Sequence, residues 1–250
     1  MDAFHAYSRY YNLLYQDKNY AGEADYIHNL LSTYGIKKGD LLEFGSGTGK
    51  HGRLLVEKGY TVHGIERSKN MVAESALIPG FTCQQGDICE VKLAKKYNAV
   101  LSLFHVLSYQ VTNSQVLAVF KNAASHLIHG GLFIFDFWYS PAVYTIRPSV
   151  RIKRIEDDKT EITRIAEPVI HSDVNMVDVN YSIYARDKIT GETRNLREKH
   201  SMRHFSLPEI DLLGRITGFK MLLAEELLTK THPSCDVWGV CVTLQKDKNE

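Results

Sequence analysis

Residues 41–49, Leu-Leu-Glu-Phe-Gly-Ser-Gly-Thr-Gly, constrain the fold of this chain more than any other stretch. A short apolar run reaches an acid, Glu43, and then turns through glycines at alternate positions, Gly45, Gly47 and Gly49. Glycine enters left-handed backbone at no steric cost and lets main chain come close to a ligand. The pattern therefore predicts a buried strand, a tight turn, and a helix whose first N–H groups stay free. A second apolar run, residues 62–65, ends at Glu66. Two such strands joined through a helix form a parallel βαβ unit. Glu66 then stands at the carboxyl edge of the second strand, where a carboxylate can accept hydrogen bonds from both hydroxyls of a ribose.

The glycine spacing narrows the ligand. A dinucleotide site wants G-x-G-x-x-G, but Gly49 comes one residue early and Lys50 stands where that last glycine belongs. A phosphate-binding G-x-x-x-x-G-K-[ST] loop would need a hydroxyl at position 52, which is Gly52. Both departures disfavour these sites within the adenosine-type reading. The net charge of +1 leaves no electrostatic footprint for nucleic acid or an anionic membrane surface. No apolar run reaches the ~20 residues needed to span a bilayer, and the polar start of the chain lacks a secretory apolar core. Cys83, Cys89, Cys235 and Cys241 form no C-x-x-C pair, so they read as reduced thiols without a metal, in a cytoplasmic protein.

At 250 residues the chain can hold one α/β domain with an insertion. The tyrosine-rich N-terminal segment reads as a helical cap. Its apolar positions Ala24, Ile27, Leu30 and Leu31 follow helical spacing, and Tyr7, Tyr10 and Tyr11 are taken as packing residues. Further runs end at Phe104 and, more weakly, just before Asp87. A helix is predicted over 116–127, a stop at His129-Gly130-Gly131, and a strand over 132–135. Then the rhythm becomes alternating and β-branched over 151–155, 160–166, 177–185 and 197–205, with turns at Asp157-Asp158 and Thr190-Gly191. That is an antiparallel sheet, residues 150–205, inserted into a core made of 1–149 and 206–250. Ser206 and Pro208 open a helix over 207–217, closing strands follow at 219–224 and 237–244, and 247–250 is a frayed tail.

Glu43-Phe44-Gly45-Ser46-Gly47-Thr48-Gly49 resembles the E/D-x-G-x-G-x-G signature of the class I S-adenosylmethionine (SAM) methyltransferases. Four further landmarks are similar in order: Glu66, then Ser68 with Met71, then Gly86-Asp87-Ile88, and the turn Gly130-Gly131-Leu132. The resemblance covers residues 41–136. It implies a Rossmann-like, doubly wound, mostly parallel seven-stranded sheet and SAM as cofactor. It also implies that Glu66 grips the ribose, that Ser68 and Met71 pack the adenine, and that Asp87 and Ile88 read its amino edge. Glu43 would favour the cationic sulfonium and amine of SAM.

A narrower resemblance is to the sugar-nucleotide N-methyltransferases. Tyr15-Gln16-Asp17-Lys18-Asn19-Tyr20-Ala21-Gly22-Glu23-Ala24 is similar to their Y-x-x-K-D-Y-A-A-E-A element, and His51 lies one residue from their C-G-T-G-T-H histidine. Leu103-Phe104-His105-Val106-Leu107-Ser108-Tyr109, Phe135-Asp136-Phe137-Trp138 and the stretch from His200 to Ser206 resemble three later elements. Asn19, His105 and Asp136-Phe137 depart from an acid, a small residue and glutamate-proline. The resemblance implies that Tyr20 and Phe104 meet the cofactor and that Tyr15 and Tyr109 flank an acceptor amine. His105, just past the fourth strand, is the acid–base candidate. Trp138 would wall the acceptor pocket, and Arg203 would meet a diphosphate. The expected substrate is the amine of a nucleotide-linked amino sugar. N- or O-methylation of another small metabolite, and a non-catalytic SAM-binding regulatory subunit, are the other two readings. The sequence leaves the oligomeric state open, a homodimer included.

Overall fold

The structure is a computed structural model that describes residues 8–75 and 79–247. Tyr7 and positions 248–250 of the expected tail lie outside them. Two helices, α1 (Ser8–Leu14) and α2 (Tyr20–Thr33), precede the first strand, β1 (Gly39–Phe44). α3 (Lys50–Glu57), β2 (Tyr60–Glu66), α4 (Lys69–Ser75), β3 (Phe81–Gln85) and β4 (Tyr97–Ser102) follow. A 3-10 turn (Val106–Tyr109) leads into α5 (Asn113–His126), the long β5 (Leu127–Tyr139) and α6 (Ser140–Thr145). Four strands come next, β6 (Arg151–Glu156), β7 (Thr160–His171), β8 (Met176–Asp187) and β9 (Thr193–Phe205). The chain closes with α7 (Leu207–Ile216), β10 (Phe219–Glu226) and β11 (Gly239–Lys246).

Strands β3, β2, β1, β4 and β5 lie side by side and run parallel. β11 adds antiparallel to β5, and β10 pairs with β11. This is the Rossmann-like α/β sheet expected. Its order reverses between β1 and β4, and such a switch point opens a crevice at the carboxyl ends of the strands. The strands are buried on both faces, so successive residues feed two cores. Leu42, Phe44, Val100, Phe133, Phe135 and Phe137 pack on one side, and Leu41, Ala99, Leu101, Leu132 and Ile134 on the other.

Four local expectations shift. α5 begins at Asn113, held by Thr112 and Gln115 in a reciprocal capping box, and ends at His126. No loop separates it from the next strand: β5 starts at Leu127, and the glycines expected to make a turn sit in a bulge. Pairing with β4 skips from Leu127 opposite Tyr97 to Leu132 opposite Ala99, and Gly130 takes φ +74°. Ser206 occupies the cap position of α7 in extended backbone, but its side chain makes no capping bond. Finally, β4 stops at Ser102, short of Phe104, because Phe104 and His105 both turn left-handed, at φ 62° and 61°.

β6 to β9 form an antiparallel meander. Its last residues join the main sheet, with Trp138 opposite His204 and Tyr139 opposite Phe205 in parallel register. α1 ties the pieces together. Asn12 Nδ2 donates to Glu74 Oε2 at 2.8 Å, Thr48 Oγ1 donates to Asn12 Oδ1 at 3.2 Å, and Lys153 Nζ donates to Leu14 O at 2.7 Å. Among the described residues, no helix is long and apolar enough to cross a membrane.

Candidate active site

The switch point carries a cavity of about 680 Å³, within the range that encloses small ligands. One wall is the glycine turn. Gly45, Gly47 and Gly49 all take positive φ, 68°, 56° and 79°, as the alternate spacing required. The turn docks on the end of β2, where the N–H groups of Gly45 and Ser46 donate to Ile65 O at 2.8 and 3.2 Å. A Cβ on Gly45 would lie 2.6 Å from both methyl carbons of Val106, whereas one on Gly47 would meet only Met71 Sδ, at 4.0 Å. Gly47 therefore opens the turn to the cavity.

Glu66 ends β2 beside that turn. Its Oε2 accepts from Gly47 N at 2.9 Å and its Oε1 from Ser68 N at 2.7 Å. Burial raises its pKa against the pull of those N–H groups. Both oxygens are fixed and keep lone pairs for further donors, which is the acceptor set a vicinal diol needs. Asp87 accepts from Cys89 N at 2.8 Å and pairs with Arg67. Burial works to raise its pKa, but Cys89 N–H and Arg67 outweigh it and hold the carboxyl below its usual value. Ser68, Met71, Asp87 and Ile88 complete this end of the cavity.

The far end is aromatic. Tyr11, Tyr15, Tyr20, Phe104, His105, Tyr109 and Trp138 line it from the core side, and Tyr181, His200 and Met202 from the inserted meander. Tyr15 meets Phe104 edge-on at 5.1 Å between ring centroids. Tyr11 and Tyr20 interact through their hydroxyls, so Tyr11 is a cavity residue, and burial pushes the Tyr20 hydroxyl up to about 12. Two consecutive non-glycine residues in left-handed backbone cost roughly 1–2 kcal/mol each. Asp136, 1% exposed, holds them: its Oδ2 accepts from His105 N at 3.1 Å and lies 2.6 Å from His105 Nδ1. One carboxylate thus sets both the backbone and the ring of His105.

Three expected site residues are not in the cavity wall. Gly49 lies one step back, as the N-cap of α3. Glu43 is 1% exposed, with His51 Nδ1 3.8 Å from its Oε1, and burial, then the nearby Glu66, raises its pKa to about 8. Arg203 points away from the cavity. It pairs with Glu209 at 2.6 Å and stacks over Phe205 at 5.2 Å. The alternation of β9 sends His200 and Met202 inward and Arg203 outward. Sequence reasoning missed His51, which lines the cavity and binds Glu23 Oε2 at 2.6 Å, and also Glu23, which takes Lys18 as well. It also left Asp136, Tyr181 and His200 without roles. Lys18, 11% exposed, lies 4.6 and 4.4 Å over the Tyr20 and Phe104 rings.

A profile for methyltransferase domains matches residues 41–131, the segment that builds the glycine turn, Glu66 and Asp87. The chain is a SAM-dependent methyltransferase. It is 26% identical over 214 residues to dTDP-3-amino-3,4,6-trideoxy-alpha-D-glucopyranose N,N-dimethyltransferase of Streptomyces venezuelae, covering 84% of this chain and 89% of that one. It is likewise 26% identical over 219 residues to the putative methyltransferase YqeM of Bacillus subtilis strain 168, covering 85% and 86%. The methyltransferase superposes on the sugar N-methyltransferase KedS8 from Streptoalloteichus sp ATCC 53650 with TM-score 0.82 and 20% identity, over 99% of this chain and 95% of that one. The cavity fits the cofactor chemically. A fixed carboxylate faces the space that Gly47 keeps open.

Proposed function

We propose that this methyltransferase transfers the methyl of SAM to the amine of a nucleotide-linked amino sugar. The observation that carries the reading is the aromatic end of the cavity, where Tyr15, Tyr109 and Trp138 face Tyr181, His200 and Met202 across a space continuous with the glycine turn. The named relative from Streptomyces venezuelae, which acts on such an amino sugar, supports it.

When bound, SAM supplies a methyl already activated by its sulfonium. Glu66 takes the ribose hydroxyls, Ser68 and Met71 the adenine face, and Asp87 with Ile88 the adenine edge. Tyr20 and Phe104 would serve the methionine end, while Glu43, buried behind the turn, would not touch it. Tyr15 and Tyr109 would hold the acceptor nitrogen at the aromatic end of the cavity, and positioning of this kind is where most of the acceleration of a methyl transfer originates. Rings on all sides exclude water from the reacting atoms. A neutral amine needs no strong base before attack.

His105 supports a second reading. Its Nδ1 lies 2.6 Å from Asp136 Oδ2, which leaves Nε2 for an acceptor hydroxyl, a group that needs a positioned base. One screen separates the two. Release of S-adenosylhomocysteine is measured with dTDP- and UDP-amino sugars, with the same nucleotide sugars bearing hydroxyl in place of amine, and with simple amines. Turnover restricted to the amino sugars is expected. Turnover on the hydroxyl compounds alone would select O-methylation, and none with any nucleotide sugar would sink the preferred substrate.

A further inference from the structure

Behind Tyr109 runs a line of hydrogen-bonded groups that methyl transfer by alignment alone does not use. The Tyr109 hydroxyl lies 2.9 Å from His200 Nδ1, and His200 Nε2 lies 3.1 Å from Glu198 Oε2. The direction of these bonds follows from chemistry. An ionised carboxylate only accepts, so Nε2 carries the imidazole proton and donates to Glu198. Nδ1 is then the acceptor for the Tyr109 O–H. The side chains of His200 and Glu198 are 3% and 8% exposed, so neither is a surface ornament of the meander. Tyr109 comes from the turn after β4, while His200 and Glu198 come from β9. The line therefore joins the two halves of the cavity.

We infer that Glu198, His200 and Tyr109 form a proton relay that withdraws the proton released at the acceptor nitrogen. The inference rests on the amine reading above. As the amine lone pair forms its bond to the methyl carbon, the carbon–sulfur bond breaks and its electron pair stays on sulfur. The nitrogen is left as an ammonium with one proton too many for a second transfer or for release as a neutral amine. That proton passes to the Tyr109 oxygen while the hydroxyl proton of Tyr109 passes to His200 Nδ1. His200 becomes an imidazolium, held by Glu198 through Nε2, and returns a proton to solvent between turnovers. Tyr109 is never ionised in this scheme. Its burial, then Tyr15, Tyr181 and Glu198 nearby, pushes its pKa well above the ordinary value, which suits a group that passes protons without losing one. Tyr109 is the catalytic residue here; His200 and Glu198 act through it.

Tyr181 of β8 meets the His200 ring edge-on at 4.9 Å. Arg164 of β7 lies over the Tyr181 ring at 5.2 Å and donates to Tyr15, just past α1, at 3.4 Å. Glu198 is the acid bonded to the His200 ring.

The test uses the full chain and two readouts. In protein labelled with ¹⁵N-histidine, His200 is expected as the Nε2–H tautomer at neutral pH, with both its resonances moved by Glu198→Gln and its Nδ1 resonance moved by Tyr109→Phe. In turnover, Glu198→Gln and His200→Gln are expected to lower kcat by roughly 10- to 100-fold, the lower part of the range for acid–base groups. They should leave SAM affinity by calorimetry within about twofold. They should also flatten the rise of kcat with pH that the relay predicts for the wild-type chain. An Nδ1–H tautomer, indifference of the His200 signals to Tyr109→Phe, or an unchanged kcat and pH profile would each overturn the relay. A wild-type chain silent on every amino sugar would instead overturn the acceptor reading, and the tautomer would still decide the relay.

Discussion

Glu66 and Glu43 are neighbouring carboxylates with opposite fates. Glu66 accepts two backbone N–H groups at the cavity, while Glu43 is sealed behind the glycine turn. Removing Glu66 removes charge-assisted acceptors for a diol, each worth about 1.5–3 kcal/mol. Glu66→Ala should therefore weaken SAM binding at least about tenfold by calorimetry; unchanged affinity would show that the ribose lies elsewhere. Glu43 acts on stability. Its pKa in the folded chain, about 8, exceeds the ordinary value of 4.5. Between these values the native state holds a proton that the unfolded chain has released, so stability falls as pH rises through this window and levels off above it. Glu43→Gln removes the titration. Its melting temperature should gain on the wild type progressively from pH 5 to pH 8, the span set by the same shift. Parallel melting curves across that range would mean that Glu43 is not protonated in the fold.

Among the elements, the turn after β1 and the 3-10 turn after β4 depend on each other. Gly45 leaves only enough room for Val106, and Val106 follows the two left-handed residues that aim Phe104 and His105 into the cavity. Gly45→Ala should lower the melting temperature through two separable causes, a positive φ and a clash with both Val106 methyls. Val106→Ala in the same chain should recover the clash and leave the backbone cost of roughly 1–2 kcal/mol. A double variant no better than the single one would remove Val106 from the account. The glycine turn, Glu66 and Asp87 were legible because each is a local pattern fixed by strand ends. His200 was not, since it stands 91 residues from Tyr109 and nothing local to either shows that they meet. Arg203 shows the matching error. The strand was recognised, but which of its two faces meets the cavity depends on how His204 and Phe205 pair with Trp138 and Tyr139 of β5, a strand distant in sequence. The extra residues of β5 were read as a turn because glycine marks bulges and turns alike.

At the scale of the molecule, α1 closes the cavity from above. It carries Tyr11, with Tyr15 just beyond its end, and it touches α4 and β6 as well as the glycine turn. Lys153 bonds Leu14 O and the largely exposed Asp17, a tether of the modest kind exposed pairs provide. Lys153→Ala should accelerate amide exchange across residues 10–20 by about two- to fivefold, and SAM should slow exchange there in both chains. Exchange indifferent to SAM would show that the helix does not cover the bound cofactor.

β5 serves two masters through its alternation. Phe133, Phe135 and Phe137 fill one core, while Asp136 and Trp138 face the left-handed turn and the acceptor end of the cavity. The strand can therefore drift in composition at either set of positions with only local effect. It cannot change its count. One residue lost between 132 and 135 would carry Phe137 to the place of Asp136, and one gained would carry Phe135 there; either turns the carboxylate toward the aromatic core and releases His105. In any collection of natural or laboratory variants of this chain, β5 should accept many spellings and only one length.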